Sequence, residues 1–158
     1  MKYIEEASTK LHEKKMQLVT AESCTGGWVA KVITDLPGSS RIFDRGFVTY
    51  SNKAKQEMLD VSKSTLETYG AVSEQVTAEM AEGALKNSDA DISLSISGVA
   101  GPGGGTAEKP VGMVCFGWAK RQEETKTDTV YFDGDRDLIR QQAVEFALKG
   151  IIKIIKGE

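Results

Sequence analysis

Apolar and polar positions follow two distinct patterns along the chain. In one, apolar residues recur three and four positions apart, as in a helix; in the other, they alternate with polar residues or form short β-branched runs, as in a strand. The first pattern predicts helices over 2–15, 26–36, 52–61, 73–87 and 135–157. The second predicts strands over 16–21, 45–51, 110–120 and 127–133, and over the first part of 90–105, which then becomes glycine-rich.

The order of these elements predicts the fold class. Helices and strands alternate in the first hundred residues, as in α/β proteins, and the last two strands flank a polar turn at 121–125, as in a β-hairpin. An alternating region followed by a hairpin requires a mixed sheet. We therefore expect a single α/β domain over 1–158, a three-layer α/β/α sandwich with a mixed sheet.

The composition limits the partners and the compartment. A formal net charge of -3 disfavours non-specific nucleic-acid binding, which needs a basic surface, so a small molecule is the expected partner. No apolar run approaches the roughly 18 to 20 residues that span a bilayer, and the charged N-terminal segment has no signal-peptide core, which predicts a cytoplasmic protein without membrane contact. Two cysteines and one histidine are too few for a disulfide framework or a zinc site, so no metal is expected.

Three predicted strand ends carry unusual residues: AESCTGG at 21–27, TYSNKAK at 49–55 and SGVAGPGGG at 97–105. Ligands of open α/β sheets bind beyond the carboxyl ends of the strands, so these segments should share a site. The glycines of the third segment favour an anion nest or an oxyanion hole, or else form only a flexible connection. The segment lacks the Walker A and dinucleotide-binding patterns, which disfavours a nucleoside triphosphatase.

A hydroxyl nucleophile needs a base, and the available residue types restrict the choice. The single histidine, His12, lies on the predicted surface helix 2–15, so a Ser-His arrangement is disfavoured. A lysine serves as a base when burial lowers its pKa from about 10.4 by some 2 to 3 units. Lys55, beside a strand end, is our candidate, and Lys53 competes with it. By base rate, however, a lysine in this segment is a solvated residue on a helix surface.

Two arginines, Arg136 and Arg140, lie one turn apart on the predicted C-terminal helix, so both project from one face. This spacing fits a clamp for a phosphate group. It fits a salt-bridged surface equally well, because Asp135 and Asp137 lie beside the arginines. The sequence alone leaves both interpretations open.

Seven segments in order carry a resemblance to a known family: TAESCTGG, PGSS, RGFVTYSNKAK, YGAVSEQV, SISGVAGPGGG, EKPVGMV and GDRDLIRQQA. From about Leu18 to Ala147 the chain resembles the CinA C-terminal domain family. The resemblance implies a three-layer α/β/α fold, a homo-oligomer and a Ser/Lys hydrolase that needs no metal or cofactor. Stand-alone members of this family are nicotinamide mononucleotide deamidases. Hydrolysis of that carboxamide to the acid, with release of ammonia in pyridine nucleotide recycling, is therefore the implied activity.

The resemblance also implies roles for residues at the matching positions. Ser23 attacks the carboxamide carbon. Lys55 takes the proton of the Ser23 hydroxyl and later gives a proton to the leaving ammonia. Tyr50 orients the reacting groups or relays the proton. Ser40 is the second choice for nucleophile or proton relay. The implied substrate-binding residues are Thr25, Gly26 and Gly27 for the oxyanion or phosphate, Gly101, Gly103, Gly104 and Gly105 for the ribose phosphate, and Arg136 or Arg140 as a charged partner.

Two other interpretations stay open at this point. A nucleotide-binding module without catalysis would need the glycine loop but no Ser/Lys pair. A thiol-dependent amidase would use Cys24, a thiol near a helix start, as its nucleophile.

Overall fold

A computed structural model describes residues 1–158, and five strands form its single sheet. They are β1 Leu18–Glu22, β2 Phe43–Val48, β3 Ile92–Gly98, β4 Met113–Lys120 and β5 Lys126–Tyr131. The strand order is β2-β1-β3-β4-β5. Strand β1 is parallel to both of its neighbours, whereas β4 is antiparallel to both β3 and β5. The sheet is therefore mixed, as the order of elements predicts.

Six helices cover the two faces of the sheet. They are α1 Ile4–Lys14, α2 Trp28–Thr34, α3 Asn52–Leu59, α4 Lys63–Tyr69, α5 Glu74–Lys86 and α6 Arg136–Ile155. Apolar side chains of α1, α2 and α6 pack on one face, and those of α3, α4 and α5 pack on the other. None of the helices has the length and apolar character needed to cross a bilayer. The predicted three-layer α/β/α sandwich is confirmed.

Helix α4 is the one helix that the sequence pattern does not predict. It is seven residues long and buries a single leucine, Leu66, so it offers little periodicity. A tertiary contact supports it instead: the carboxylate of Glu79 on α5 accepts hydrogen bonds from the N–H of Ser62 and the hydroxyl of Thr65. This helix shapes the entrance to the site, because the loop that follows it lines the cavity described below.

Strand β3 alternates apolar and serine positions, and the two sets face different helical layers. Ile92, Leu94 and Ile96 belong to the core beneath α6. The hydroxyls of Ser93 and Ser95 donate to the carbonyls of Ala81 and Thr77 on α5 at 2.7 and 2.6 Å. These bonds satisfy the buried hydroxyls while holding α5 close to the sheet.

The register of the parallel strands determines where the site forms. Glu22, the last residue of β1, is paired with Val48 of β2 and with Ile96 of β3. The segments that follow these three strands therefore leave the sheet at one edge, as expected for the carboxyl ends of parallel strands. The predicted strand 45–51 is correspondingly shifted: β2 ends at 48, and 49–51 belong to the loop at this edge.

Candidate active site

A cavity of about 340 Å³ lies at this edge of the sheet. Its walls come from the segments after β1, β2 and β3, the loop after α4, and the first residue of α6. The lining side chains used below are Ser23, Cys24, Tyr50, Asn52, Lys55, Ser97 and Arg136, together with the backbone of Gly101, Gly103 and Gly104. Each of the three unusual strand ends predicted to share a site contributes to this cavity, the first of them through Ser23 and Cys24 only.

A buried lysine contacts a serine hydroxyl at the base of the cavity. The Nζ atom of Lys55 lies 3.0 Å from Oγ of Ser23 and donates to the carbonyl of Thr49 at 3.0 Å. The Lys55 side chain is among the largest fully buried ones in the chain, with only 2% of the residue exposed. Burial lowers the pKa of Lys55 below its ordinary value, because a desolvated ammonium is disfavoured.

Helix α3 sets the position of Lys55. Its N-cap is Ser51, whose hydroxyl accepts from the N–H of Ala54 and fixes the start of the helix. Lys55 then points into the protein, whereas Lys53 points outward, 82% exposed and 3.6 Å from Glu57. The structure thus separates the two candidate bases, and only Lys55 reaches Ser23.

A buried carboxylate, Glu22, holds the turn that carries Ser23. Its Oε1 accepts from the hydroxyl of Thr25 at 2.7 Å and from the N–H of Val29 at 2.9 Å, and its Oε2 accepts from the N–H of Ala30 at 3.2 Å. Helix α2 starts after Gly27, which has a φ of +100° and offers no side-chain cap. Glu22 therefore caps the N-terminus of α2 from the adjacent strand, and its negative charge interacts favourably with the positive end of the helix dipole. Sequence reasoning missed this role, although a carboxylate ending a buried strand before a helix is a signal for it.

The thiol of Cys24 lies next to Ser23 but is not activated. Only 7% of the residue is exposed, and burial raises the pKa of the Cys24 thiol to about 11. At neutral pH the thiol is therefore protonated and a poor nucleophile. This finding argues against the thiol-dependent alternative.

The two arginines of α6 have different surroundings, although they lie one turn apart. Arg136 lines the cavity, where it donates to the carbonyl of Gly101 at 2.7 Å and to the hydroxyl of Tyr50 at 3.1 Å. Arg140 lies outside the cavity and donates to the backbone carbonyls of Cys24 and Thr25 at 3.0 and 3.2 Å. Of the two, only Arg136 faces the space where a substrate would bind.

Several predicted substrate-binding residues lie elsewhere. Thr25, Gly26 and Gly27 border a separate surface depression beside Arg140, and the Thr25 hydroxyl is engaged by the buried carboxylate of Glu22. Gly105 packs against the backbone of Val111, since a Cβ there would lie 2.8 Å from the Val111 nitrogen. The sequence suggested that the whole segment 21–27 belongs to one site. In the structure the turn into α2 places Ser23 and Cys24 in the cavity and the three residues after them in the separate depression.

Ser40 does not approach the cavity within this chain. It lies in a short 3-10 turn, Ser39–Arg41, that precedes β2, whereas Ser23 follows the parallel strand β1. The six residues of β2 separate the two edges of the sheet by about 20 Å, given a rise of 3.3 Å per residue. The role of Ser40 as nucleophile or proton relay stays a prediction, which its position in this chain does not support. His12 is exposed on α1, as predicted.

Sequence reasoning also missed two polar residues that line the cavity, Ser97 and Asn52. Ser97 is the third serine of β3 and is 1% exposed, but it lies beyond the α5 carbonyls that bind Ser93 and Ser95. Asn52 is the first residue of α3. The sequence did contain a signal for Ser97: it is the next serine in the alternating pattern of β3 after Ser93 and Ser95, the two serines that contact α5.

Comparison with known proteins identifies the family of this chain. The family profile of the CinA C-terminal domain matches residues 1–155. Nicotinamide-nucleotide amidohydrolase PncC of Enterobacter agglomerans is 55% identical over 148 residues, which cover 94% of this chain and 90% of that protein. The CinA-like protein of Akkermansia muciniphila is 51% identical over 94% of this chain but only 36% of its own length. The crystal structure of competence/damage inducible protein CihA from Agrobacterium tumefaciens, 43% identical, superposes with a TM-score of 0.92 over 98% of this chain and 96% of that one. The chain thus belongs to the CinA C-terminal domain family.

Proposed function

We propose that this protein hydrolyses the carboxamide of nicotinamide mononucleotide to nicotinic acid mononucleotide and ammonia, with Ser23 as nucleophile and Lys55 as base. The observation that carries the proposal is the 3.0 Å contact between the buried Lys55 amine and the Ser23 hydroxyl. Relatives at 54 and 55% identity are named nicotinamide-nucleotide amidohydrolases, which supports this substrate class.

The first half of the reaction transfers the acyl group to serine. A neutral Lys55 amine accepts the Ser23 proton while it donates an N–H to the carbonyl of Thr49. The serine oxygen adds to the carboxamide carbon, and the carbonyl oxygen becomes an oxyanion. When this intermediate collapses, the C–N bond breaks and Lys55 gives its proton to the leaving nitrogen. Ammonia departs, and Ser23 carries the nicotinoyl ester.

The second half releases the acid. Lys55 is neutral again and accepts a proton from a water molecule, whose oxygen adds to the ester carbon. Collapse of the second intermediate breaks the bond to Ser23, and Lys55 returns the proton to the serine oxygen. One water is consumed for each amide, and the amine ends in the state in which it began.

Arg136 and the glycine loop supply the charge and the donors for the substrate phosphate. A guanidinium has five N–H groups, and Arg136 uses two of its nitrogens on Gly101 and Tyr50, so donors remain. The backbone N–H groups of Gly103 and Gly104 donate to no backbone carbonyl and line the same cavity. Free N–H groups beside a guanidinium favour an anion.

The paired variants Ser23→Ala and Lys55→Met test the proposal. Each removes one partner of the contact, so we expect kcat for ammonia release from the mononucleotide to fall by about 10⁴-fold or more. Lys53→Met is the matched control, because its exposed amine does not reach the cavity, and it should retain wild-type kcat. Circular dichroism checks that each variant is folded. Near-normal ammonia release in both test variants would contradict the assignment.

A nucleotide-binding module without catalysis has no use for a buried amine against a hydroxyl, so this pair favours an enzyme. Calorimetric titration of the wild type beside an ammonia assay separates the two, since binding without ammonia supports the module. The cytoplasmic location, the homo-oligomer, the single-domain organisation and the place in pyridine nucleotide recycling stay predictions.

A further inference from the structure

Two charged side chains hold the turn between β1 and α2, and the mechanism above uses neither. On one side, the carboxylate of Glu22 binds the hydroxyl of Thr25 and two N–H groups of the first turn of α2. On the other side, Arg140 donates from Nε to the carbonyl of Cys24 at 3.0 Å and from Nη2 to the carbonyl of Thr25 at 3.2 Å. The backbone of the turn is thus fixed from two directions.

These bonds determine where the N–H groups of the turn point. In a trans peptide, the N–H is directed opposite to the C=O of the same unit. The carbonyl of Ser23 accepts from the N–H of Gly26 at 3.0 Å. The carbonyl of Cys24 accepts from Arg140. The N–H groups of Cys24 and Thr25 therefore point away from these partners, and neither donates to a backbone carbonyl.

The N–H of Cys24 is a candidate donor to the reacting carbonyl. Cys24 follows the nucleophile directly and lines the cavity beside it. In hydrolases whose nucleophilic serine sits at a strand-to-helix turn, the N–H of the next residue is an oxyanion donor. The N–H of Ser23 itself is not available, because it donates to the carbonyl of Ile96 at 2.9 Å.

Arg140 is already committed to contacts within the protein. Its Nε and Nη2 are bonded to the two carbonyls, and its Nη1 lies 3.7 Å from the carboxylate of Asp137. Its guanidinium also lies over the ring of Trp28, 5.3 Å from the centroid. This environment differs from that of Arg136, which faces the cavity, and it does not suit a phosphate ligand.

We propose that Arg140 is a positioning residue for the oxyanion. By anchoring the carbonyls of Cys24 and Thr25, it holds the Cys24 N–H toward the oxygen that becomes negative when Ser23 attacks the carboxamide. The Thr25 carbonyl that Arg140 binds shares its peptide unit with the N–H of Gly26, which donates to the carbonyl of Ser23. The Ser23 carbonyl shares its peptide unit with the Cys24 N–H, so the charge-assisted bond strengthens this donor through two linked hydrogen bonds. Because the oxyanion exists only after attack, Arg140 acts on the transition state more than on substrate binding. This inference rests on the proposed function.

The test compares Arg140→Ala and Arg140→Lys with Arg136→Ala, one turn away on the same helix. Loss of one oxyanion donor costs about 10²- to 10³-fold in kcat, so we expect Arg140→Ala to lower kcat by about 10²-fold while KM changes little. Arg140→Lys keeps the charge but not the two-carbonyl geometry, and should fall between Arg140→Ala and wild type. Arg136→Ala should instead act mainly on KM.

Two further measurements separate positioning from a general loss of structure. The aldehyde counterpart of the mononucleotide adds Ser23 to form a hemiacetal that mimics the tetrahedral intermediate, and its affinity should fall in Arg140→Ala by the same factor as kcat/KM. Affinity for the acid product should be unchanged. Millimolar guanidinium should partly restore kcat in Arg140→Ala, because Arg140 borders an open depression.

The possible outcomes are distinct. If Arg140→Ala raises KM tenfold or more at unchanged kcat, Arg140 binds the substrate phosphate and the inference is wrong. It is also wrong if kcat and aldehyde affinity both stay at wild-type levels. If Arg140→Ala does not fold, Arg140→Lys decides by the same criteria. Ammonia release by the wild-type protein is measured first. If the wild type releases no ammonia, the proposed function itself is wrong.

Discussion

At the scale of single residues, the proposed reaction depends on the protonation state of Lys55. The Nζ atom has two oxygen neighbours, the hydroxyl of Ser23 and the carbonyl of Thr49. Desolvation is the larger cause of its shift in pKa, and no carboxylate contributes to it. A buried amine without an ionic partner favours its neutral form, the form that accepts a proton from serine.

The rate of hydrolysis should therefore follow the titration of Lys55. Below the lowered pKa of Lys55, each pH unit removes about nine-tenths of the neutral amine, so kcat/KM should fall about tenfold per unit as pH decreases. The acid limb of a kcat/KM profile against the mononucleotide measures this. A profile without an acid limb at any pH at which the protein stays folded would contradict a lysine base.

The same shift predicts how stability depends on pH. The folded pKa of Lys55 lies below its ordinary value of 10.5, so between the two values the unfolded chain binds the additional proton. Stability then rises with pH through that window, by up to about 1.4 kcal/mol per unit, and the destabilising effect is fully present below the folded pKa. Lys55→Met removes the titrating group and keeps the apolar stem.

Urea unfolding of wild type and Lys55→Met between pH 6 and pH 10 measures this linkage. The free energy of unfolding of Lys55→Met minus that of wild type should be largest at pH 6 and should shrink as pH approaches 10. Lys53→Met serves as the control, because the Lys53 side chain lies on the same helix but is 82% exposed. A difference between wild type and Lys55→Met that does not vary with pH would contradict the assigned shift.

At the scale of elements, periodicity predicts those helices and strands whose burial follows a simple pattern. Helix α5 is such a case, with a serine cap and buried residues at helical spacing. The sequence pattern predicts neither helix α4 nor the capping of α2 by Glu22. Both depend on a carboxylate from another element, which only the folded chain brings to the start of the helix. The separate positions of Lys53 and Lys55 likewise depend on where Ser51 starts α3, which the sequence leaves open to a residue or two.

One glycine shows how packing reverses a rule of helix propensity. Gly83 lies inside α5, where Gly→Ala ordinarily stabilises a helix by up to about 1 kcal/mol. A Cβ at this position would lie 1.8 Å from the carbonyl oxygen of Leu59, the last residue of α3. Gly83→Ala must therefore push α3 away from α5, and we expect a loss of about 1 to 3 kcal/mol in the free energy of unfolding.

Chemical denaturation measures this effect, with Gln75→Ala on the exposed side of α5 as the control, expected within about 0.5 kcal/mol of wild type. Because α3 carries Lys55, Gly83→Ala should also lower kcat in the fraction that remains folded. A variant as stable as wild type or more so would show that α3 and α5 adjust without strain.

At the scale of the whole molecule, the site joins segments that are far apart in the chain at one edge of the sheet. The meeting of Ser23, Lys55 and the glycine loop was predictable, because carboxyl ends of parallel strands share an edge. The different surroundings of Arg136 and Arg140 were not predictable, since an i, i+4 pair gives no information on which neighbour each side chain meets. The position of Ser40 before β2 was not predictable either, because a motif does not say at which end of the neighbouring strand it lies.

Arg136 connects three of these segments, because α6 reaches through it to the loop after β3 and the loop after β2. If it is the phosphate partner, Arg136→Ala should lower kcat/KM for the mononucleotide by about 10- to 100-fold, the effect of losing one charge-assisted hydrogen bond. Nicotinamide riboside has the same amide and sugar but no phosphate, so its kcat/KM should change by less than about threefold. Ammonia release from both substrates in wild type and Arg136→Ala gives the comparison directly. Equal losses for the two would mean that Arg136 shapes the glycine loop and does not bind the phosphate.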